Sequence, residues 1–396
     1  MPATSITLKE TIMNNDALQA FYQQQFSSLP QGVVSAPGRV NLIGEFTDYN
    51  QGFVLPCALT FRTQVFYHIR NDNTVNVLST MYPNEQESFD INQPISAGQS
   101  QWGNYIRAVA FVLNRAGHQL QGVDLLIESN VPQGSGLSSS AALEVAIAGM
   151  FNHVCGLNLT EEQIALFGQQ AENDFMDCQC GIMDQLISAK GQQDQALLID
   201  CQNLHTKSVT IPTDLSIVIV NSNYPRKLVD SEYNQRRIDC EQAASKMGLT
   251  TLRDADLALL MQTKPQMSAN EFSRAHHVIT ENARVIAATQ ALASNNIEQL
   301  RILMTASHQS LKHDFEVTVP ATDGLVQICQ QALADRGAVR MTGGGFGGAI
   351  VCLCRNEDVA AIQQAVEQHY FAQFNLQADI YVCTAGKGLT VETFPQ

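Results

Sequence analysis

The stretch PQGSGLSSSAALE, residues 132–144, places two glycines and three consecutive serines directly before a long apolar run. Gly134 and Gly136 carry no side chain, so backbone N–H groups there can approach an anion closely. Ser138, Ser139 and Ser140 add hydroxyl donors and are placed to cap the helix that the apolar run predicts. A triphosphate would lie at the positive end of that helix. No Gly-Lys-Ser/Thr follows, so the loop is not a Walker A element and lacks its lysine. Taken alone, the same residues also read as a flexible turn before a core helix.

Three further stretches carry chemical residue types. In CGIMDQ (180–185), Asp184 follows two apolar residues, where a solvated surface acid is not expected. A buried acid needs a partner, and a hydroxyl nucleophile or an arginine each supplies one. In MTGGGFGGAIV (341–351), five glycines flank one phenylalanine, which implies unusual dihedrals or backbone pressed against something. A tight turn between strands gives the same pattern. In GRVNLIGEFTDYN (38–50), Arg39 can pair with an acid or a phosphate, while Glu45 and Asp48 can accept hydrogen bonds from hydroxyls. A phenyl ring, Phe46, stands between those two acids.

Those residues need a scaffold, and 396 residues suit two lobes rather than one core. Hydrophobic residues make up 45% and charged ones 15%, the balance of a globular chain. Acids exceed bases 38 to 23, for a formal charge of -15. Such a field disfavours nucleic acid and anionic membranes, so an anionic ligand must be held by local donors or a metal. The polar start, MPATSITLKETIMNND, shows no secretory segment, and ten cysteines without a C-x-x-C read as reduced thiols of a cytoplasmic protein. A monomer is expected.

Along the chain, NNDALQAFYQQQF reads as a helix and VVSAPGRVNLIGE as strand, turn, strand. Thr160 and Gln163 form a capping box that opens a helix on which Ala165, Gly168 and Glu172 share one face. LSIVIVNSN (215–223) reads as a strand opening the second lobe, followed by a helical middle at about 231–311. Residues 1–210 and 211–396 are the expected lobes, in an α+β fold. His276, His277, His308 and His313 read as helix-surface or core histidines.

Taken together and in this order, the four motifs resemble those of the galactokinases, within the GHMP small-molecule kinase superfamily. The likeness runs from about Ser35 to Lys387 and includes NSNYPRKLVDSEYNQRR and HVITENAR. It implies a two-lobed fold with the active site in the inter-lobe cleft, and transfer of the γ-phosphoryl of ATP to the C1 hydroxyl of a sugar. By matching position, Asp184 would orient or deprotonate that hydroxyl, and Arg39 would hold Asp184 ionised. Gly134, Ser135, Gly136, Leu137, Ser138, Ser139 and Ser140 would bind ATP, with Trp102 at the adenine pocket. Ser140 and Glu172 would hold Mg²⁺. Glu45, Phe46, Asp48 and Tyr233 would line the sugar site, and Gly343, Gly344 and Gly345 the cleft. Sister sugar kinases acting on N-acetylgalactosamine, arabinose or a uronate, or a non-catalytic sugar- and ATP-binding regulator, are the competing readings.

Phe46 departs from the family pattern, which has histidine there. A phenyl ring cannot hydrogen-bond a hydroxyl, so altered tolerance at C6 of the sugar is the expectation. The opposing expectation is a ring turned into the core, with only the two acids facing the sugar.

Overall fold

The computed structural model describes residues 14–225 and 229–395, the side chains of 229–231 excepted. Most of the stretch read for a secretory segment, residues 1–13, lies outside the described residues, as do residues 226–228 of NSNYPRKLVDSEYNQRR. Six strands form the first sheet in the spatial order Thr390–Thr393, Gly32–Asn41, Pro56–Ile69, Val123–Ser129, Thr74–Ser79 and Gln86–Asp90. Neighbours run antiparallel, except that Thr74–Ser79 lies parallel to Val123–Ser129. Alternation along the strands sorts the faces. Val34, Val65 and Leu125 join one core with the helices Gln101–Arg115 and Ser139–Cys155. Val33, Phe66 and Leu126 point the other way, onto Leu18 and Tyr22 of the helix Asn15–Phe26.

The second sheet runs Gly337–Thr342, Ala349–Arg355, Leu215–Asn221, Asp379–Cys383, all antiparallel. Val218, Val220 and Ile350 pack on the helices Pro320–Leu333 and Val359–Phe374. On its opposite face, Ile217, Ile219 and Val351 share one core with Val285 and Leu292 of the helix Ala269–Ala293 and with Val40, Leu42 and Leu137 of the first lobe. The lobes are therefore joined by apolar burial as well as by chain. A three-stranded sheet, Phe53–Val54, Gln195–Asp200 and His205–Thr210, completes the strands.

The predicted elements appear with two differences. The helix Glu161–Asp174 opens on the expected Thr160–Gln163 box, and the helices Val229–Lys246, Leu257–Thr263, Ala269–Ala293 and Ile297–Ser310 fill the expected helical middle. Pro37-Gly38, read as a turn, lies within one ten-residue strand, Gly32–Asn41, whose register shifts between Pro37 and Arg39. A bulge there bends the strand without ending it. Gly38 is needed because a Cβ would meet Leu137 O at 2.6 Å, which leaves room for Arg39 N–H to donate to that same oxygen. Finally, Thr390–Thr393 pairs with Gly32–Ser35 of the first sheet, so the chain's end lies outside the second lobe that residues 211–396 were expected to form.

The helix Ser139–Cys155 is the central support. Ten of its seventeen residues are buried, as a helix that is apolar on all sides requires. Gly156, left-handed at φ 62°, closes it. Its first turn faces the junction of the two lobes.

Candidate active site

The phosphate-type loop enters this helix through three residues with positive φ: Gly134 (68°), Gly136 (80°) and Ser138 (61°). Ser138 was expected among the capping hydroxyls; at the N-cap in left-handed geometry it makes no capping bond. Its hydroxyl instead donates to Asp184 Oδ2. Ser135 is fully buried, its hydroxyl on Pro132 O at 2.7 Å, so it shapes the turn rather than facing a ligand. The loop residues that line open space are Gly134, Gly136, Leu137, Ser138, Ser139 and Ser140.

Arg39 and Asp184, 145 residues apart in sequence, meet here. Arg39 Nε donates to Asp184 Oδ1 at 2.7 Å and its Nη2 to Oδ2 at 2.6 Å, the two-pronged geometry that holds a carboxylate plane fixed. Its Nη1 donates to Gly136 O at 2.6 Å and so fastens the pair to the loop. Asp184 sits in the first turn of the helix Met183–Lys190. Arg39, Gly136, Ser138, Asp184 and Gly344 line one cavity of about 230 Å³.

That cavity shares Gly134, Ser139 and Ser140 with a larger one of about 1060 Å³, bordered by Trp102, Tyr82, Glu85, Glu87 and Arg107. The Trp102 indole N–H donates to Glu85 Oε2 at 2.7 Å, and its ring lies parallel to Tyr82 at 5.7 Å between centroids. A flat aromatic wall at one end and amide donors at the other suit a nucleotide.

Glu172 stands near Ser140 and accepts Gln185 Nε2 at 2.9 Å and Cys180 Sγ at 3.2 Å. It is not the lone acid the helix pattern suggested. Glu144, fully buried, takes the same Gln185 Nε2 at 3.0 Å, and its Oε1 has no partner. Gly168 makes the space, since a Cβ there would meet Gln185 Cγ at 3.0 Å and Glu144 Cβ at 3.4 Å. Burial pushes Glu172 up, Asp184 adding to the effect and the Cys180, Ser140 and Gln185 donors opposing it; Glu144 is pushed well above its usual range by burial and by Glu172. Among the described residues no group of three or more His, Cys, Asp or Glu side chains is placed to hold a metal ion. A hydroxyl near a carboxylate still fits Mg²⁺, which takes one or two protein ligands and completes its shell with phosphates and water. Glu144 and Gln185 were missed from sequence although both close quoted motifs; nothing in their spacing marks them.

The residues expected at the sugar fall into two groups. Asp48 and Tyr233 lie near Asp184. Asp48 packs against Gly181, where a Cβ would overlap its carboxylate, with the Met183 and Tyr49 amides nearby. Burial, then the Asp184 charge, raise Asp48 to about 6. Tyr233 lies beside Gly344, and burial followed by the Asp48 charge raises its phenol well above the ordinary range. Glu45 and Phe46 are enclosed instead. Glu45 is 2% exposed and its carboxylate accepts Asn41 Nδ2, Gly343 N–H, Thr342 Oγ and Arg340. Phe46 is 4% exposed in left-handed backbone (φ 65°), stacked on Phe315 at 4.6 Å and tilted against Tyr233 at 5.7 Å. Its ring belongs to an aromatic cluster, and the expected contact with a C6 substituent finds no support in this geometry. Of the histidines read as helix-surface or core, His277 is fully buried and lowered to about 4 by burial.

The galactokinase galactose-binding signature matches residues 20–68, the GHMP kinase N-terminal domain residues 104–192 and the GHMP kinase C-terminal domain residues 288–372. Galactokinase from Lactococcus lactis, solved complexed with galactose, is 32% identical; the match covers 95% of this chain and 99% of that one, with a TM-score of 0.91. Mevalonate kinase from Methanococcus jannaschii (16% identity, 90% and 98% covered, TM-score 0.63) and homoserine kinase from Cytophaga hutchinsonii (17%, 92% and 99%, 0.62) share the fold. A galactokinase signature and a whole-length match at this identity give the same answer as the four motifs: the chain belongs to the galactokinases, within the GHMP kinases.

Proposed function

We propose that this chain transfers the γ-phosphoryl group of ATP to the C1 hydroxyl of D-galactose, giving galactose 1-phosphate and ADP. The observation that carries the reading is the Arg39–Asp184 pair fastened to the Gly136 carbonyl, at the end of a cavity lined by the loop serines. Phosphoryl transfer needs little covalent help; it needs alignment and compensation of charge on the equatorial oxygens. Amides of 136–140 face the nucleotide's terminal phosphates, in a protein whose overall charge opposes them. Asp184 accepts the C1 hydroxyl and holds it in line with phosphorus, while Arg39 fixes the carboxylate and lines the same cavity. Asp48 accepts a second sugar hydroxyl, and Tyr233 borders the sugar. Ser140 and Glu172 hold Mg²⁺, which when bound offsets phosphate charge. No helix of the described residues is long and apolar enough to cross a membrane.

A coupled ADP assay with D-galactose tests the reaction. Asp184→Ala should lose about 10²–10⁴-fold in kcat while keeping its circular dichroism spectrum, the scale of a positioned group acting on the transferred proton. Activity within a few fold of the parent would remove Asp184 from the chemistry.

The raised carboxyl of Asp48 sets an acid limb. Between the ordinary value near 4 and about 6, the folded protein holds a proton that the unfolded chain does not. Ionising this acid therefore makes stability fall as pH rises through that window, while the capacity to accept a sugar hydroxyl grows. The kcat/KM for galactose should drop below pH 6 with an apparent pKa of about 6, and a profile flat down to pH 5 would contradict the role.

For Phe46, the ratio of kcat/KM for D-galactose to that for its 6-deoxy analogue should stay within about twofold in Phe46→His. Its melting temperature should fall, because a polar ring enters an apolar stack. A shift of the ratio by about tenfold, worth 1.4 kcal/mol, would place the ring at C6 after all.

A further inference from the structure

We infer that Arg340 is a positioning residue for phosphoryl transfer, clamping Glu45 onto Gly343 so that the glycine loop is held against the phosphate loop. Arg340 lies in the strand Gly337–Thr342 and is completely buried. Its Nη2 donates to Glu45 Oε2 and its Nη1 to Asn41 O at 3.4 Å. The other carboxylate oxygen, Oε1, accepts Gly343 N–H at 2.9 Å and shares the single Thr342 hydroxyl proton, at 3.2 Å, with Asn41 O at 2.9 Å. One carboxylate from the first lobe thus collects three donors from the end of a second-lobe strand.

Stability alone does not account for such a pair. Desolvating two charges costs about as much as their attraction returns, and apolar residues of equal volume hold a core as well. What an ion pair with four hydrogen bonds supplies is a fixed position. Gly343 is where position matters. From there Gly343, Gly345, Phe346, Gly347 and Gly348 all have positive φ, and Phe346 N–H is the next anchor, on Val317 O at 2.7 Å. A Cβ on Gly343 would lie 3.3 Å from Gly136 O, the carbonyl that also accepts Arg39. A line of neighbours therefore runs from Arg340 through Glu45, Gly343 and Gly136 to Arg39 and Asp184, and Gly344 joins the wall of the cavity those last two line. The inference rests on placing transfer at that cavity, but not on any contact between Glu45 and sugar.

The test pairs substrate-free hydrogen exchange, read by mass spectrometry, with steady-state kinetics on Arg340→Met and Arg340→Lys. In Arg340→Met, amides of residues 341–348 should exchange at least about tenfold faster, with the helix Ser139–Cys155 unchanged, as expected of a local rather than global opening. The kcat per folded enzyme should fall by about tenfold or more, and Arg340→Lys, keeping the charge but losing the fork, should recover part of it. If Arg340→Met does not accumulate folded, Thr342→Val removes one donor at nearly constant volume and should give smaller changes of the same kind. Unchanged exchange at 341–348, or a kcat loss matching the loss of folded protein, would overturn the inference. Failure of the parent enzyme to release ADP with galactose would instead count against the transfer reaction; the exchange measurement, needing no substrate, would still decide the clamp.

Discussion

A guanidinium laid flat against a carboxylate, at the point where two lobes and a glycine-rich loop meet, sets the geometry of everything around it. Arg39 comes from the bulged strand of the first sheet and Asp184 from the first turn of a short helix, and neither element could shift without breaking two parallel hydrogen bonds. The third donor of the same guanidinium reaches the loop carbonyl of Gly136, so the loop shares that reference frame. The bulge at Gly38, the left-handed Ser138 and the apolar helix behind them follow from that arrangement: each lets backbone or a hydroxyl approach the pair without a clash.

Electrostatics make the arrangement demanding. The chain carries a net charge of -15, and the Asp184 charge acts on Asp48, Glu144 and Glu172 around the site, with Glu172 acting on Glu144 as well. Binding a polyphosphate there needs compensation delivered at short range. Helix-end amides and one arginine are placed to supply it, and the raised carboxyls of Glu144 and Glu172 are the signature of acids crowded in a dry place. The second arginine of the lobe junction, Arg340, is spent on Glu45 and does not face the cavity.

Much of this was legible in the chain. The four motifs, their order and most helices could be read because glycine spacing, capping residues and apolar periodicity are local properties. Long-range consequences could not. That Ser138 would turn to Asp184 rather than cap its own helix depends on a residue 46 positions away. The burial of Phe46 depends on Phe315, and that of Glu45 on Arg340 and Gly343. The Pro37-Gly38 pair looked like a turn because Pro-Gly usually is one; only the neighbouring Leu137 carbonyl explains a bulge. The return of Thr390–Thr393 to the first sheet had no local signal, being four exposed residues at the end of the chain.

The central claim, that Arg39 and Asp184 act as one unit in aligning the transfer, is best tested by a double-mutant cycle on single-turnover phosphoryl transfer with Arg39→Met and Asp184→Asn. Groups that work only together are not additive, so the double variant should be about as slow as the slower single one. If the two losses instead multiply, the residues contribute independently and the pair is not the unit on which the site is built.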